Sequence, residues 1–152
     1  MVQVNINVEN GKSFNFKDEY EKILSNLQEY FHLKNKDVYV DVSIVDNQKI
    51  QKLNKQYRGK DYATDILSFD FGDREVYKDL PILLLGELVI SHEKVEEQAK
   101  EFGHSLKREY CYLYTHGLVH LMGYDHETET ERTEMNQIVD DIFLPLGIKR
   151  EE

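Results

Sequence analysis

Hydrophobic and polar residues alternate strictly in VQVNINV, with Val2, Val4, Ile6 and Val8 on one side of the chain. A period of two predicts a half-buried β-strand. DVYVDVSIV, residues 37–45, repeats the pattern and predicts a second strand. Between them the period changes. Tyr20, Ile23, Leu24, Leu27, Tyr30 and Phe31 recur at helical spacing, which predicts a helix over residues 17–32. Asp46 offers an N-cap for a helix through QKIQKLNKQY, and Gly59 offers its stop. DILSFDF and LLLGELVIS predict a third and a fourth strand. The stretch FGDREVYKDLP between them carries Gly, Asp and Pro and predicts a loop or a hairpin connection.

The rest of the chain is helical in pattern. Ser91 can cap a helix running to residue 102, where Gly103 ends it. A further helix is expected over residues 105–122, and after the turn GYDH a last one over residues 129–143, ended by Pro145, Leu146 and Gly147. The expectation is an α/β (α+β) fold: a single mixed sheet of about four strands packed with about five helices. Strand order does not follow from the pattern. At 152 residues the chain is expected to fold as one domain, residues 1–152, burying roughly 70% of its unfolded surface.

Composition narrows the classes of function. The start MVQVNINVEN lacks the basic and apolar regions of a secretory signal. The longest apolar stretch, PILLLGELVI, is too short to span a bilayer and contains Glu87. A cytoplasmic protein with no membrane partner is expected. The single cysteine, Cys111, excludes an internal disulfide, and its apolar helical surroundings predict a buried, inert thiol. A net charge of -10 argues, taken alone, against nucleic-acid binding. Acidic residues cluster late in the chain, however, while QKLNKQYRGK in the middle is basic, so the net value can hide one positive face.

Candidate chemistry lies in HGLVHLMGYDH, which holds three of the six histidines. His116 and His120 are four apart, so on a helix they share one face. Gly123 allows the chain to turn back, and His126 can then supply a third imidazole. Three neutral imidazoles leave one position of a zinc ion open, as in catalytic rather than structural sites. His32, His92 and His104 have no such partners and are expected at the surface or at helix caps. The spacing H-x3-H-x2-G-x2-H is that of the extended zinc-protease signature. The protease keeps its general-base glutamate directly after the first histidine; here that residue is Gly117, which can neither take nor give a proton. A water acidified by the metal can stand in for that base. Asp125 and Glu127 are near enough to orient a histidine N–H, or to serve as ordinary turn acids, the latter being favoured for Glu127.

HGLVHLMGYDH, with LNKQYRGKDYATDILSFDF and LGELVIS, resembles the bacterial YbeY family of ribosomal RNA maturation factors. The three blocks cover residues 53–126, about half the chain. The resemblance implies a metal-dependent endoribonuclease specific for single-stranded RNA. It implies action in maturing the 3′ end of small-subunit ribosomal RNA and in ribosome quality control, with the ribosome and small-subunit ribosomal proteins as partners. It implies a zinc ion held by His116, His120 and His126, and a functional role for Arg58 in the YR block. The chain departs from the family pattern at Asp70, where proline is common, and at Glu87, where aspartate is common.

Charge grows on the phosphate oxygens as RNA is cleaved, and a guanidinium can brace one of them in a bidentate grip. Arg58 is the candidate, although an arginine before a helix-ending glycine also complements the helix dipole. Lys52, Lys55 and Lys60 can track an RNA backbone. Asp65 and Ser68 are expected to hold the loop and strand in place. Attack by a metal hydroxide and attack by the 2′-hydroxyl both stay open. So do two other classes, a peptidase sharing the zinc cradle and a ribosome-assembly factor whose zinc is mainly structural. Imidazoles favour zinc but also suit nickel, copper and iron.

Overall fold

The computed structural model describes residues 1–9, 11–71 and 78–149. In chain order the elements are β1 (Val2–Val8), α1 (Lys17–Tyr30), β2 (Asp37–Val45), α2 (Asn47–Arg58), β3 (Ile66–Phe69), β4 (Ile82–Ser91), α3 (His92–Phe102), α4 (Leu106–Leu121) and α5 (Glu129–Phe143). A 3-10 turn over Leu144–Leu146 follows. The four strands form one mixed sheet in the order β1-β2-β4-β3. The first three in that order run parallel, and β3 pairs antiparallel with β4 at the edge. This is the α/β (α+β) architecture expected from the pattern. The central part of the proposed loop or hairpin connection between β3 and β4, residues 72–77, lies outside the described residues.

Alternation decides the layers. Val4, Val40, Val42, Leu88 and Ile90 face a core that α1, α4 and α5 complete. Each such aliphatic side chain, fully buried, contributes roughly 1.5–3 kcal/mol. The opposite face of β1 and β2 is polar. Gln3 donates to Asn5 (2.9 Å), and Asn5 donates to Asp41 (3.0 Å). Under α2 that face turns apolar, where Ile50 packs with Val45, Leu67 and Val89.

Caps fix where the helices begin. Asp46, Ser91, Ser105 and Thr128 each accept the backbone N–H three residues on, at 2.8–3.2 Å. The first helix ends two residues before its expected limit. His32 adopts φ +57°, and Leu33 N–H reaches back to the Gln28 carbonyl (2.8 Å), a left-handed closure that a non-glycine residue here supports. His32 is thus a capping residue on the surface, as expected.

The third strand is also shorter than DILSFDF. Two residues of β4, Leu85 and Gly86, stand opposite the single Val40 of β2, a bulge that opens the ladder. Gly86 has φ +143°, and a Cβ there would collide with the Phe69 carbonyl and lie 3.1 Å from Leu121. The pairing of β3 therefore stops at Phe69 opposite Glu87. The same close approach brings the end of α4 against the end of β3.

Helix α4 is buried on most sides and is pinned through tyrosines. The Tyr20 and Tyr114 rings stack at 3.7 Å. Tyr20 donates to the Tyr110 carbonyl (3.0 Å), and Tyr114 donates to the Tyr20 carbonyl (3.1 Å). Both buried hydroxyls are thereby satisfied. Cys111 is fully buried on this helix, and burial pushes its thiol up to about 12, the inert thiol expected. Among the described residues no helix is long and apolar enough to cross a membrane.

Candidate metal centre

The last two turns of α4 carry His116, half-buried, and His120, exposed. Gly123 then takes φ +103° and donates to the His120 carbonyl (3.0 Å), reversing the chain. His126 returns with its ring centroid 5.6 Å from that of His116 and 6.3 Å from that of His120. The fold thus brings the three histidines singled out in the sequence near one another. Among the described residues, no group of three or more His, Cys, Asp or Glu side chains stands close enough as placed to hold a metal ion.

The donor set nevertheless fits zinc. Zinc–nitrogen bonds of about 2.0–2.1 Å in a tetrahedron put imidazole centroids about 5 Å apart. The rings of His116 and His120 stand roughly 1 Å wider than this from that of His126, and both His120 and His126 are exposed. His120 Nδ1 lies 2.9 Å from the Tyr124 carbonyl. A carbonyl only accepts, so this contact assigns the proton to Nδ1 and leaves the Nε2 lone pair for a ligand bond. Burial holds the His116 imidazole below its usual value, reinforced by His126 and opposed by Asp65. Neutral imidazole is the form that binds a metal.

The three histidines line a cleft of about 430 Å³ whose other wall is the end of α2 and β3. Arg58 closes α2 and donates from Nη2 to the Ser68 carbonyl, with its guanidinium 5.0 Å above the Phe69 ring. These contacts leave it exposed at the cleft wall with further N–H groups. Lys60 also lines the cleft, whereas Lys52 and Lys55 are not part of its lining; Lys55 stands 3.8 Å from Asp61. Asp125 lines the cleft, and its Oδ1 accepts the His126 N–H (2.8 Å), shaping the turn that presents that histidine. Glu127 lines it as well. Asp65 is held by Gln98 (3.2 Å), and its carbonyl accepts the Ser91 N–H (2.9 Å), a structural role matching expectation.

Comparison with known proteins assigns the chain to a family. The family model described as endoribonuclease YbeY matches residues 3–147. The chain belongs to the YbeY endoribonuclease family. The endoribonuclease YbeY of Mycoplasmopsis synoviae is 50% identical over 149 residues, covering 98% of this chain and 96% of its own. That of Mycoplasmopsis pulmonis is 47% identical over 147 residues, covering 95% and 98%. The solution structure of TM1509 from Thermotoga maritima superposes with a TM-score of 0.58 at 28% identity, covering 95% of this chain and 92% of that one.

Within this YbeY-family cleft, Gly117 has a reason of its own. A Cβ there would meet Ile66 Cδ1 at 2.8 Å and Leu88 Cδ2 at 2.9 Å. Helix α4 approaches the sheet so closely that any side chain at this position would have to displace Ile66 and Leu88. Sequence reasoning missed two contributors. One is the Tyr124 carbonyl, a backbone group with no side-chain signature. The other is Asn54, buried at 2% exposure one turn after Ile50. A polar residue on the apolar side of α2 was its available signal.

Proposed function

We propose that this endoribonuclease is zinc-dependent and specific for single-stranded RNA, and that it acts as one unit in maturing the 3′ end of small-subunit ribosomal RNA. We place ribosome quality control in the same proposal, with the cytoplasm as its setting and the ribosome, including small-subunit ribosomal proteins, as partner. The observation that carries the reading is the convergence of His116, His120, His126, Arg58 and Lys60 on one cleft with no side chain at position 117.

His116, His120 and His126 would hold the ion. Zinc, when bound, supplies a Lewis acid for a phosphate oxygen and a water whose pKa falls to about 7. The chain supplies the rest. Arg58, steadied by the Ser68 carbonyl and the Phe69 ring, presents its remaining N–H groups to a phosphate oxygen as charge builds there. Lys60 neutralises a second phosphate. Tyr124 fixes the tautomer of His120, and Asp125 holds the turn that carries His126.

The test is cleavage of a labelled RNA, as a single strand and annealed to its complement, by the intact protein and by Arg58→Ala. The single strand is cut and the duplex is spared, and Arg58→Ala loses roughly 100-fold or more in rate. Equal cleavage of both substrates, or an unaffected Arg58→Ala, contradicts the assignment. The product ends identify the nucleophile. A 2′,3′-cyclic phosphate means attack by the 2′-hydroxyl, and a 3′-hydroxyl with a 5′-phosphate means attack by water. The acidic balance of -10 favours one rival, an assembly factor whose RNA affinity comes from a partner protein. His116→Ala that still copurifies with small subunits and supports their maturation would select it.

A further inference from the structure

Three exposed aromatic residues, Tyr57, Tyr62 and Phe71, come from the segment that flanks the cleft. Single exposed aromatics are ordinary on protein surfaces. Tyr62 differs in where it stands and in how it is held. The residue is 54% exposed, yet it belongs to the cleft lining together with Arg58, Lys60 and the three histidines. Tyr57, by contrast, leans edge-on against Phe69 at 5.4 Å.

The loop that carries Tyr62 is tied down from behind. Asn54 is 2% exposed, and its amide donates to the Tyr62 carbonyl (2.9 Å). The Asn54 carbonyl accepts the Lys60 N–H (3.3 Å). Gln51 donates to Asp61 (3.1 Å), and Lys55 pairs with the same carboxylate (3.8 Å). A buried amide is thus committed to fixing a surface loop, while the aromatic ring at its tip stays uncovered. Preorganising an exposed ring lowers the entropy lost when a ligand stacks on it. Arg58 and Lys60 line the cleft beside it, so in a chain of net charge -10 an uncovered ring and two cations meet at one place, a combination suited to a ligand with a flat face and negative charge.

We propose that Tyr62 is a substrate-binding residue whose ring, held at the mouth of the cleft by Asn54, stacks on a nucleobase of single-stranded RNA while Lys60 and Arg58 take the flanking phosphates. The proposal rests on the endoribonuclease reading and deepens it. It accounts for strand selectivity in physical terms. An unpaired base can swing out and offer a free face to the ring, whereas a base in a duplex already has neighbours on both faces. Stacking is tolerant of base identity, so Tyr62 selects for strandedness rather than for sequence.

The experiment uses the zinc-loaded protein and a short RNA containing 2-aminopurine, whose fluorescence is quenched when it stacks. Rapid mixing reads binding before cleavage. The intact protein quenches the probe. Tyr62→Ala abolishes the quench and weakens binding about 5- to 150-fold, the range measured for one base–aromatic stack. Tyr62→Phe keeps both, because the ring and not the hydroxyl makes the contact. Phe102→Ala, an exposed aromatic that is not part of the cleft lining, changes neither. Tyr62→Ala that binds and quenches like the intact, cleaving protein overturns the stacking role and leaves the endoribonuclease reading standing. An intact protein that neither binds nor cuts the RNA overturns both.

Discussion

Gly117 tests whether α4 really rests on the sheet without an intervening side chain. In an uncrowded helix, replacing an interior glycine by alanine gains roughly 1 kcal/mol. Here the new Cβ lands 2.8 Å from Ile66 Cδ1 and 2.9 Å and 3.2 Å from the two methyls of Leu88. Leu88 is fully buried, so its methyls can shift only by displacing other core side chains. Overpacking a filled core costs about 1–3 kcal/mol, so the propensity gain is outweighed and the net effect is a loss of up to about 2 kcal/mol. For a chain of this length that lowers the melting temperature by up to about 8 °C. Gly117→Glu adds a carboxylate with no partner, a further cost of several kcal/mol against a total stability of about 5–15 kcal/mol. It should yield little folded protein and no casein hydrolysis. Circular dichroism melts of both variants decide the question. A Gly117→Ala melting temperature raised by about 2–4 °C, or a folded Gly117→Glu that digests casein, would refute the reasoning.

Other consequences concern the scaffold. Ser91 both caps α3 and donates to Asn47 (2.6 Å). Ser91→Ala should cost about 1–2 kcal/mol, read as a shifted urea midpoint with an unchanged slope. Cys111, its thiol pushed up to about 12, should resist alkylation at pH 8 in the native protein and react once the protein is unfolded; fast native labelling would contradict the packing of α4. Glu109 is held above its ordinary 4.5, first by burial and then by the Asp65 carboxylate. Because the folded state binds this proton more tightly than the unfolded state, stability falls as pH rises from about 4.5 through the folded value. Glu109→Gln should therefore melt higher than the parent at pH 7, with the difference vanishing below pH 4.5; an unchanged difference across that window would refute the assignment.

Much of this molecule is legible in its amino-acid order because its strands are two-faced. Val2 to Val8 and residues 37–45 alternate, since one side meets helices and the other meets water. Side-chain caps such as Asp46 and Ser91 are local and are read as easily. The histidine block is legible for a similar reason, as helix period, turn glycine and third imidazole all lie within eleven residues. What escaped depends on distant partners. The bulge at Gly86 exists through register with β2, and it shortens β3 by a contact with Phe69. Arg58 was marked by its block, but its anchorage on the Ser68 carbonyl needs the strand beside it. Gly117 could be read as a missing base, while its packing against Leu88 could not.

The central claim is that His116, His120 and His126 hold the metal on which RNA cleavage depends. Its most direct test is zinc content by mass spectrometry of the intact protein and of His120→Ala, with single-stranded RNA cleavage measured on the same samples. The account predicts about one zinc per chain, lost together with cleavage in the variant. A protein that stays metal-free when zinc is offered, or cleavage that persists after the zinc is lost, would contradict it.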